Sequence, residues 1–280
     1  MIIDFHTHIF SPDIKNNRDK YITSDPLFAS LYSNPKAKLA TADDLISIMD
    51  EQEIDKSVVL NISWSTHELC LESNDYIMQS ISRYPDRLIG FGMITFNSPD
   101  LAIQELERCI KAGMKGIGEI RPHVQLLNDV GIFKPIVKYM EETRLIMLTH
   151  GSEPVGHIYP GKGDLTPEAL YPFISAFPDL KLVCAHWGGG LPFYSLMPEV
   201  KKMLANVYFD SAASPFLYRP EIYTCVSSLA GNDKILFGTD YPLLAPRRLL
   251  DEIETLSLPK DIKNKVLYEN ACQLLEIGKR

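Results

Sequence analysis

Apolar residues in this chain come in short bursts at regular intervals. Ile2, Ile3 and Phe5 open the series, followed by SVVLNI (57–62), LIGFGMI (88–94), KGIGEI (115–120), LIMLT (145–149), KLVCA (181–185), NVYFD (206–210) and KILFG (234–238). Continuous apolar runs of this length predict strands buried on both faces. Between them the pattern changes to helical. Thr41 with Asp44 resembles a capping box that opens a helix through Leu45, Ile48 and Met49. LESNDYIMQSISRYP reads as a helix ending at Pro85. Ser98-Pro99 places an N-cap and an N1 proline for a helix over 99–112, which Gly113 stops. Further helices are predicted over 129–143, 167–177, 191–204, 216–230, 246–256 and 260–276. Eight strands, each followed by a helix, predict one α/β domain over residues 1–280, a single (β/α)8 TIM-type barrel. An open doubly wound sheet would call for a glycine-rich first turn, and the first turn here is HTHIF. Residues 10–40 break the rhythm with Pro12, Pro26, Pro35, Asn16 and Asn17. They read as a long loop leaving the first strand end, either a lid or a mobile insertion.

Composition narrows the class. The chain has 280 residues, 45% hydrophobic and 23% charged, with a formal net charge of -8. That balance suits a globular protein with a sizeable core and argues against nucleic acid or an anionic membrane as a partner. Five scattered cysteines with no CxxC pair suggest neither a disulfide framework nor a thiolate metal site. No basic and apolar leader precedes the first strand, so a cytoplasmic enzyme that starts at residue 1 is expected.

Barrel enzymes carry their chemistry at the C-terminal ends of the strands. His6 and His8 end strand one, two residues apart. Glu119 lies in strand four, and His150 and His186 directly follow strands five and six. Asp240 closes KILFGTD at strand eight, and the remaining histidines also fall at or beyond strand ends. Nitrogen and oxygen donors without thiolate suit a divalent ion such as zinc, with manganese or iron as alternatives. Four histidines with one or two carboxylates can hold one ion with an open position, or two ions bridged by Glu119. Asp240 would serve as ligand and general base, and His186 as second-ion ligand or acid/base group.

HTH after strand one, THG (149–151), AHWGGG (185–190) and FGTDYP (237–242) together resemble the amidohydrolase superfamily. The nearest branch is the amidohydrolase-related group that includes the aminocarboxymuconate semialdehyde decarboxylase-like enzymes. Tyr268-Glu269-Asn270-Ala271 looks like that group's terminal helix. The resemblance implies a metal-dependent barrel with His6, His8, His150 and Asp240 as ligands and His186 as second-metal ligand or acid/base. Where many superfamily members carry a carboxylated lysine on strand four, this chain offers Glu119; Lys115 lies at the wrong end of its strand.

Substrate contacts are expected from Arg121, His123, His157, Tyr159, Trp187 and Tyr241, the first two sharing the strand parity of Glu119. Cations at the mouth of an acidic protein suggest a small carboxylate-bearing substrate. VGHIYPGKG approaches a phosphate-binding loop but lacks its Ser/Thr and is set aside. The leading expectation is metal-activated hydrolysis of an amide, lactone or ester, because a Glu119 bridge suits hydroxide generation. Nonoxidative decarboxylation on the same ligands is the alternative, and a binding protein without catalysis the third reading. A homodimer is one assembly open to it.

Overall fold

A computed structural model describes residues 1–278. Its strands are β1 (Ile3–His8), β2 (Lys56–Leu60), β3 (Leu88–Gly92), β4 (Gly116–Ile120), β5 (Ile146–Thr149), β6 (Leu182–Cys184), β7 (Val207–Asp210) and β8 (Ile235–Leu236). They form one sheet in sequential order, every pair parallel. The segment after β8 returns to β1. Phe5 N donates to Phe237 O at 2.7 Å, Asp240 N to His6 O at 2.9 Å, and His8 N to Tyr241 O at 2.7 Å. The chain is therefore an eight-stranded parallel barrel with helices between its strands.

The barrel interior is packed. Phe5, Leu60, Phe91, Leu148, Val183 and Leu236, from six strands, belong to one buried cluster, with Ala271 and Leu274 of the C-terminal helix joining it. A larger apolar layer includes the inner faces of the surrounding helices. Among the described residues, no helix is long and apolar enough to cross a membrane.

Two strands are not regular, and both irregularities fall where ligands were expected. On β1, Asp4 pairs with Ser57 and Thr7 with Val59, so β1 has one extra residue. On β4, Ile117 pairs with Met147 and Ile120 with Thr149, with the same surplus. A bulge of this kind re-aims side chains and is common beside active sites. It lets Phe5 point into the packed interior while His6 and His8 still converge on the mouth. The strand ends at Ile120, so the alternation that grouped Arg121 and His123 with Glu119 does not extend past Pro122 to His123.

Residues 10–40 are not a structureless loop. They fold as three short helices, Pro12–Asn16, Arg18–Ser24 and Pro26–Tyr32. Ser11 and Asp25 cap the first and third by accepting from Ile14 N and Phe28 N, and Pro12 and Pro26 stand in their first turns. Each helix has at most seven residues, too short to display a helical period. Aromatic packing docks them. Phe28 stacks on Trp64 with ring centroids 5.4 Å apart and touches Phe10 at 5.9 Å and Tyr32 at 4.8 Å. Phe28→Ala is expected to lower unfolding free energy by about 3–5 kcal/mol, read from the denaturant midpoint. An unchanged midpoint would mean that this segment is not integral to the fold.

Candidate metal centre and active site

The site lies at the C-terminal mouth of the barrel. His6 and His8 share β1, and their Nε2 atoms face each other at 3.0 Å. Asp240 Oδ1 lies 3.2 Å from His8 Nε2 and 3.8 Å from His6 Nε2. Glu119, from the β4 bulge, stands between this group and a second one. Its Oε2 is 3.9 Å from His8 Nε2, while Oε1 is 2.7 Å from His150 Nδ1 and 3.3 Å from His186 Nε2. Two triads, His6-His8-Glu119 and Glu119-His150-His186, each have donor atoms within 4.8 Å of one another and share Glu119.

Ring orientation is set from outside the cluster. His6 Nδ1 is 2.8 Å from Asp210 Oδ2, and His186 Nδ1 donates to Ala212 O at 3.0 Å. A backbone carbonyl only accepts, so the His186 Nδ1 carries hydrogen and Nε2 is turned to Glu119. Ser152 Oγ accepts from Gly163 N at 2.9 Å and lies 2.9 Å from His150 Nε2. Imidazole nitrogens fixed by outer partners, with the other nitrogen aimed at a common point beside a carboxylate, form the donor arrangement of a metal site. The set of four imidazoles and two carboxylates fits a divalent cation.

Charge coupling within the cluster is strong. Burial disfavours a charged His6, but Asp210 outweighs it and raises the pKa to about 9. Burial likewise opposes the His186 cation, and the hydrogen bond and charge of Glu119 raise it to about 10. Burial and Arg121 push His150 down to about 4. Burial works against the Asp240 anion, but His8, His6 and His186 lower its pKa to about 2. Glu119 is held well below its usual range, despite burial, chiefly by His150.

Backbone geometry carries strain here. His186, Trp187 and Asp240 have φ of 55°, 57° and 65°, the left-handed region that non-glycine residues seldom enter. The glycines after Trp187 complete the turn. At Gly189 (φ 60°) a Cβ would lie 2.1 Å from Ser152 O, so only glycine allows the β6 and β5 loops to meet.

Four residues that sequence reasoning did not single out support the cluster. Asp210 orients His6 through Oδ2 and accepts from His186 N at 2.9 Å and Ala212 N at 3.0 Å through Oδ1. It closes NVYFD, the strand-end position shared by the other cluster residues. Asp4 accepts from His6 N, Thr239 N and Thr239 Oγ1, at 3.2, 3.0 and 2.6 Å, tying the turn of Asp240 to β1. Burial pushes Asp4 up to about 7. Ser152 and Thr239 complete the four. Asp210→Asn is expected to weaken divalent-metal affinity about 10–100-fold, measured by metal titration of stripped protein. Wild-type affinity would show that His6 needs no outer partner.

Above the cluster is a cavity of about 530 Å³, lined in part by His8, Glu119, His150, His186, Asp240 and Arg121. His157 and Tyr159 also line it, as do Tyr32, Lys36 and Lys38 from the helical segment. Arg121 donates to Gly161 O and is part of the wall of this space. Three expected contacts are elsewhere. Trp187 is fully buried, its Nε1 donating to Ser214 Oγ at 3.0 Å, because the left-handed turn sends the indole away from the cavity. His123 is exposed ahead of the four-residue helix Val124–Leu127, since Pro122 and the β4 bulge end the strand alternation. Tyr241 lies in a neighbouring groove with Lys15, Arg18 and Asp44, its hydroxyl donating to Asp44 O at 3.4 Å.

Eight parallel strands with this donor cluster at their C-terminal mouth define the class as a metal-binding barrel. The chain belongs to the amidohydrolase family, whose sequence model matches residues 3–277. It is 25% identical to the 2-amino-3-carboxymuconate-6-semialdehyde decarboxylase of Dictyostelium discoideum over 340 aligned residues, covering 98% of this chain and 91% of the relative. A solved 5-carboxyvanillate decarboxylase from Sphingomonas paucimobilis superposes with a TM-score of 0.81 at 18% identity, covering 99% of both chains. A dihydroxybenzoic acid decarboxylase from Polaromonas, solved with bound manganese and the inhibitor 2-nitroresorcinol, has a TM-score of 0.75 at 19% identity, covering 100% of this chain and 98% of that one.

These relatives overturn the expectation of hydrolysis. That expectation rested on Glu119 as a bridge, and a ligand set identifies a metal site without naming the bond that breaks there. The bias toward zinc has no support in them either, since the metal in the dihydroxybenzoic acid enzyme is manganese.

Proposed function

We propose that this protein is a metal-dependent, nonoxidative decarboxylase of a small carboxylic acid, aromatic or comparably conjugated. The observation that carries the reading is the whole-length similarity to a decarboxylase in sequence, at 98% coverage of this chain. The cavity agrees with it. About 530 Å³ admits a single substituted ring, and Arg121, Lys36 and Lys38 on its wall favour an anion.

His6, His8, Glu119, His150, His186 and Asp240 would hold the metal. Bound there, it would supply Lewis-acid chemistry to an anionic substrate. Zinc and manganese both suit these donors.

The remaining work belongs to the chain. Arg121 draws the anion in and orients it. The helical segment and the Tyr159 loop flank the ring and limit water. Asp240 is the carboxylate of the cluster most open to the cavity, 18% exposed against 6% for Glu119. It delivers a proton to the carbon that bears the carboxylate. The bond from that carbon to the carboxylate then breaks, its electron pair returns to the conjugated system, and carbon dioxide leaves. Donation leaves Asp240 as the anion that His8, His6 and His186 stabilise, and a proton from solvent at the mouth must reload it before the next turnover.

The test is carbon dioxide release from 2,6-dihydroxybenzoate, 5-carboxyvanillate and 2-amino-3-carboxymuconate-6-semialdehyde, using protein loaded with manganese or zinc. In deuterium oxide the vacated carbon should carry one deuterium. No carbon dioxide from any of the three would reject the reading.

A further inference from the structure

The metal cluster and Arg121 give the main cavity a charged end. Much of the remaining wall is apolar, with Leu31, Ile62, Ala213, Phe216 and Leu217 among its residues. A flat ring turns freely against such a surface unless a polar group fixes it. Among the described residues of this wall, two carry a hydroxyl, Tyr32 and Tyr159. Tyr159 is already committed, its hydroxyl donating to Glu153 Oε2 at 3.1 Å.

The Tyr32 hydroxyl is uncommitted. It has no hydrogen-bond partner among the described residues, and its oxygen keeps accessible surface in the space before it. The charges that reach it are those of the site, Asp240 ahead of Glu119, with Arg121 opposing them. Burial, reinforced by the two carboxylates, pushes this phenol above its ordinary range. It therefore keeps its hydrogen and meets a ligand as a neutral donor.

The ring that carries this hydroxyl is held in place. Tyr32 ends the helix Pro26–Tyr32, which Asp25 caps. Phe28 lies one turn earlier with its centroid 4.8 Å from that of Tyr32, and Phe10 meets the ring edge-on at 5.2 Å. Arg18 pins the turn that follows, donating to Asn34 O at 3.2 Å and Ala37 O at 2.7 Å. A donor fixed in advance loses little further freedom when a ligand reaches it.

We propose that Tyr32 is a specificity-determining residue of this cavity, its hydroxyl donating a hydrogen bond to an oxygen carried on the ring of the bound acid. A ring without that oxygen leaves the hydroxyl unpaired against it, which costs affinity. The assignment rests on the reading of this cavity as the binding site of an acid, and not on the bond that breaks there.

Calorimetric titration of the full-length, manganese-loaded protein tests it, with 2,6-dihydroxybenzoate and benzoate as the two probes. Tyr32→Phe removes an oxygen that has no partner in the protein and keeps the ring between Phe10 and Phe28, so the wall persists. Contacts of each acid with the metal are common to both proteins and drop out of the comparison. The variant should bind 2,6-dihydroxybenzoate about tenfold more weakly than the wild type and benzoate equally well. An equal loss for both acids, no loss for 2,6-dihydroxybenzoate, or no binding of either acid to the wild type would overturn the proposal. The selective loss without carbon dioxide release would uphold it while rejecting decarboxylation.

Discussion

Asp240→Asn is expected to reduce carbon dioxide release by about 10²–10⁴-fold, the range for loss of a positioned proton donor. The effect should fall on turnover more than on KM, because Arg121 and the cavity wall still collect the anion. Asparagine preserves the size of the side chain and the backbone bond from residue 240 to His6 O, so the fold should persist by circular dichroism. Metal content is measured alongside, since Asp240 Oδ1 also lies 3.2 Å from His8 Nε2. Loss of turnover at full metal occupancy assigns the proton to Asp240. Unchanged turnover would transfer that role to another group.

The second large effect concerns the metal. Chelation is expected to abolish turnover, and rebinding to tighten as pH rises. His6 and His186 titrate at about 9 and about 10 in the metal-free fold, above their ordinary 6.5. Each therefore holds a proton in the folded protein at a pH where the unfolded chain has released it. The stability this provides is complete below about 6.5 and is lost as pH climbs through about 9 and about 10. A metal needs both imidazoles neutral, so binding near neutral pH must expel those protons. Affinity should climb until about pH 10 and then level off. The stabilisation conferred by metal, read from the melting temperature, should grow over the same interval. Titration in buffers of different ionisation enthalpy counts the protons directly. A pH-independent affinity without proton release would mean that these histidines are neutral before metal arrives.

Much of the barrel was legible because its strands are buried on both faces and so read as unbroken apolar runs. Helix boundaries were legible where a cap or proline marked them, as at Thr41 with Asp44 and at Ser98-Pro99. The cluster was legible because ligands in such a barrel sit where strands end. That rule also covers Asp210, which closes NVYFD as Asp240 closes KILFGTD but has no histidine beside it in sequence to mark it. What failed was alternation. The bulges in β1 and β4 add a residue that no composition signal announces; Arg121 still reaches the cavity beside Glu119, but the parity does not extend past Pro122 to His123. Trp187 failed for a related reason: a left-handed turn at His186 reverses the direction expected of its neighbour. The helices in residues 10–40 were hidden by their shortness, although Ser11-Pro12 and Asp25-Pro26 carried the same start signal read correctly at Ser98-Pro99. Hydrolysis was the costliest misreading, since it took the electrophilic character of a site for the identity of its reaction.

The ties between β1 and the turn after β8 bear on synthesis at the ribosome. Asp4 and Thr239 are separated by 235 positions, and His6 and Asp210 by 204. A growing chain presents His6 and His8 to the cell long before their partners have been translated. During that interval the two imidazoles have neither Asp210 nor Asp240 beside them, and an early metal encounter meets only a weak bidentate site. The cluster as a whole is therefore completed only once Asp240, beyond the last strand, has been made, in a finished barrel and not a nascent one.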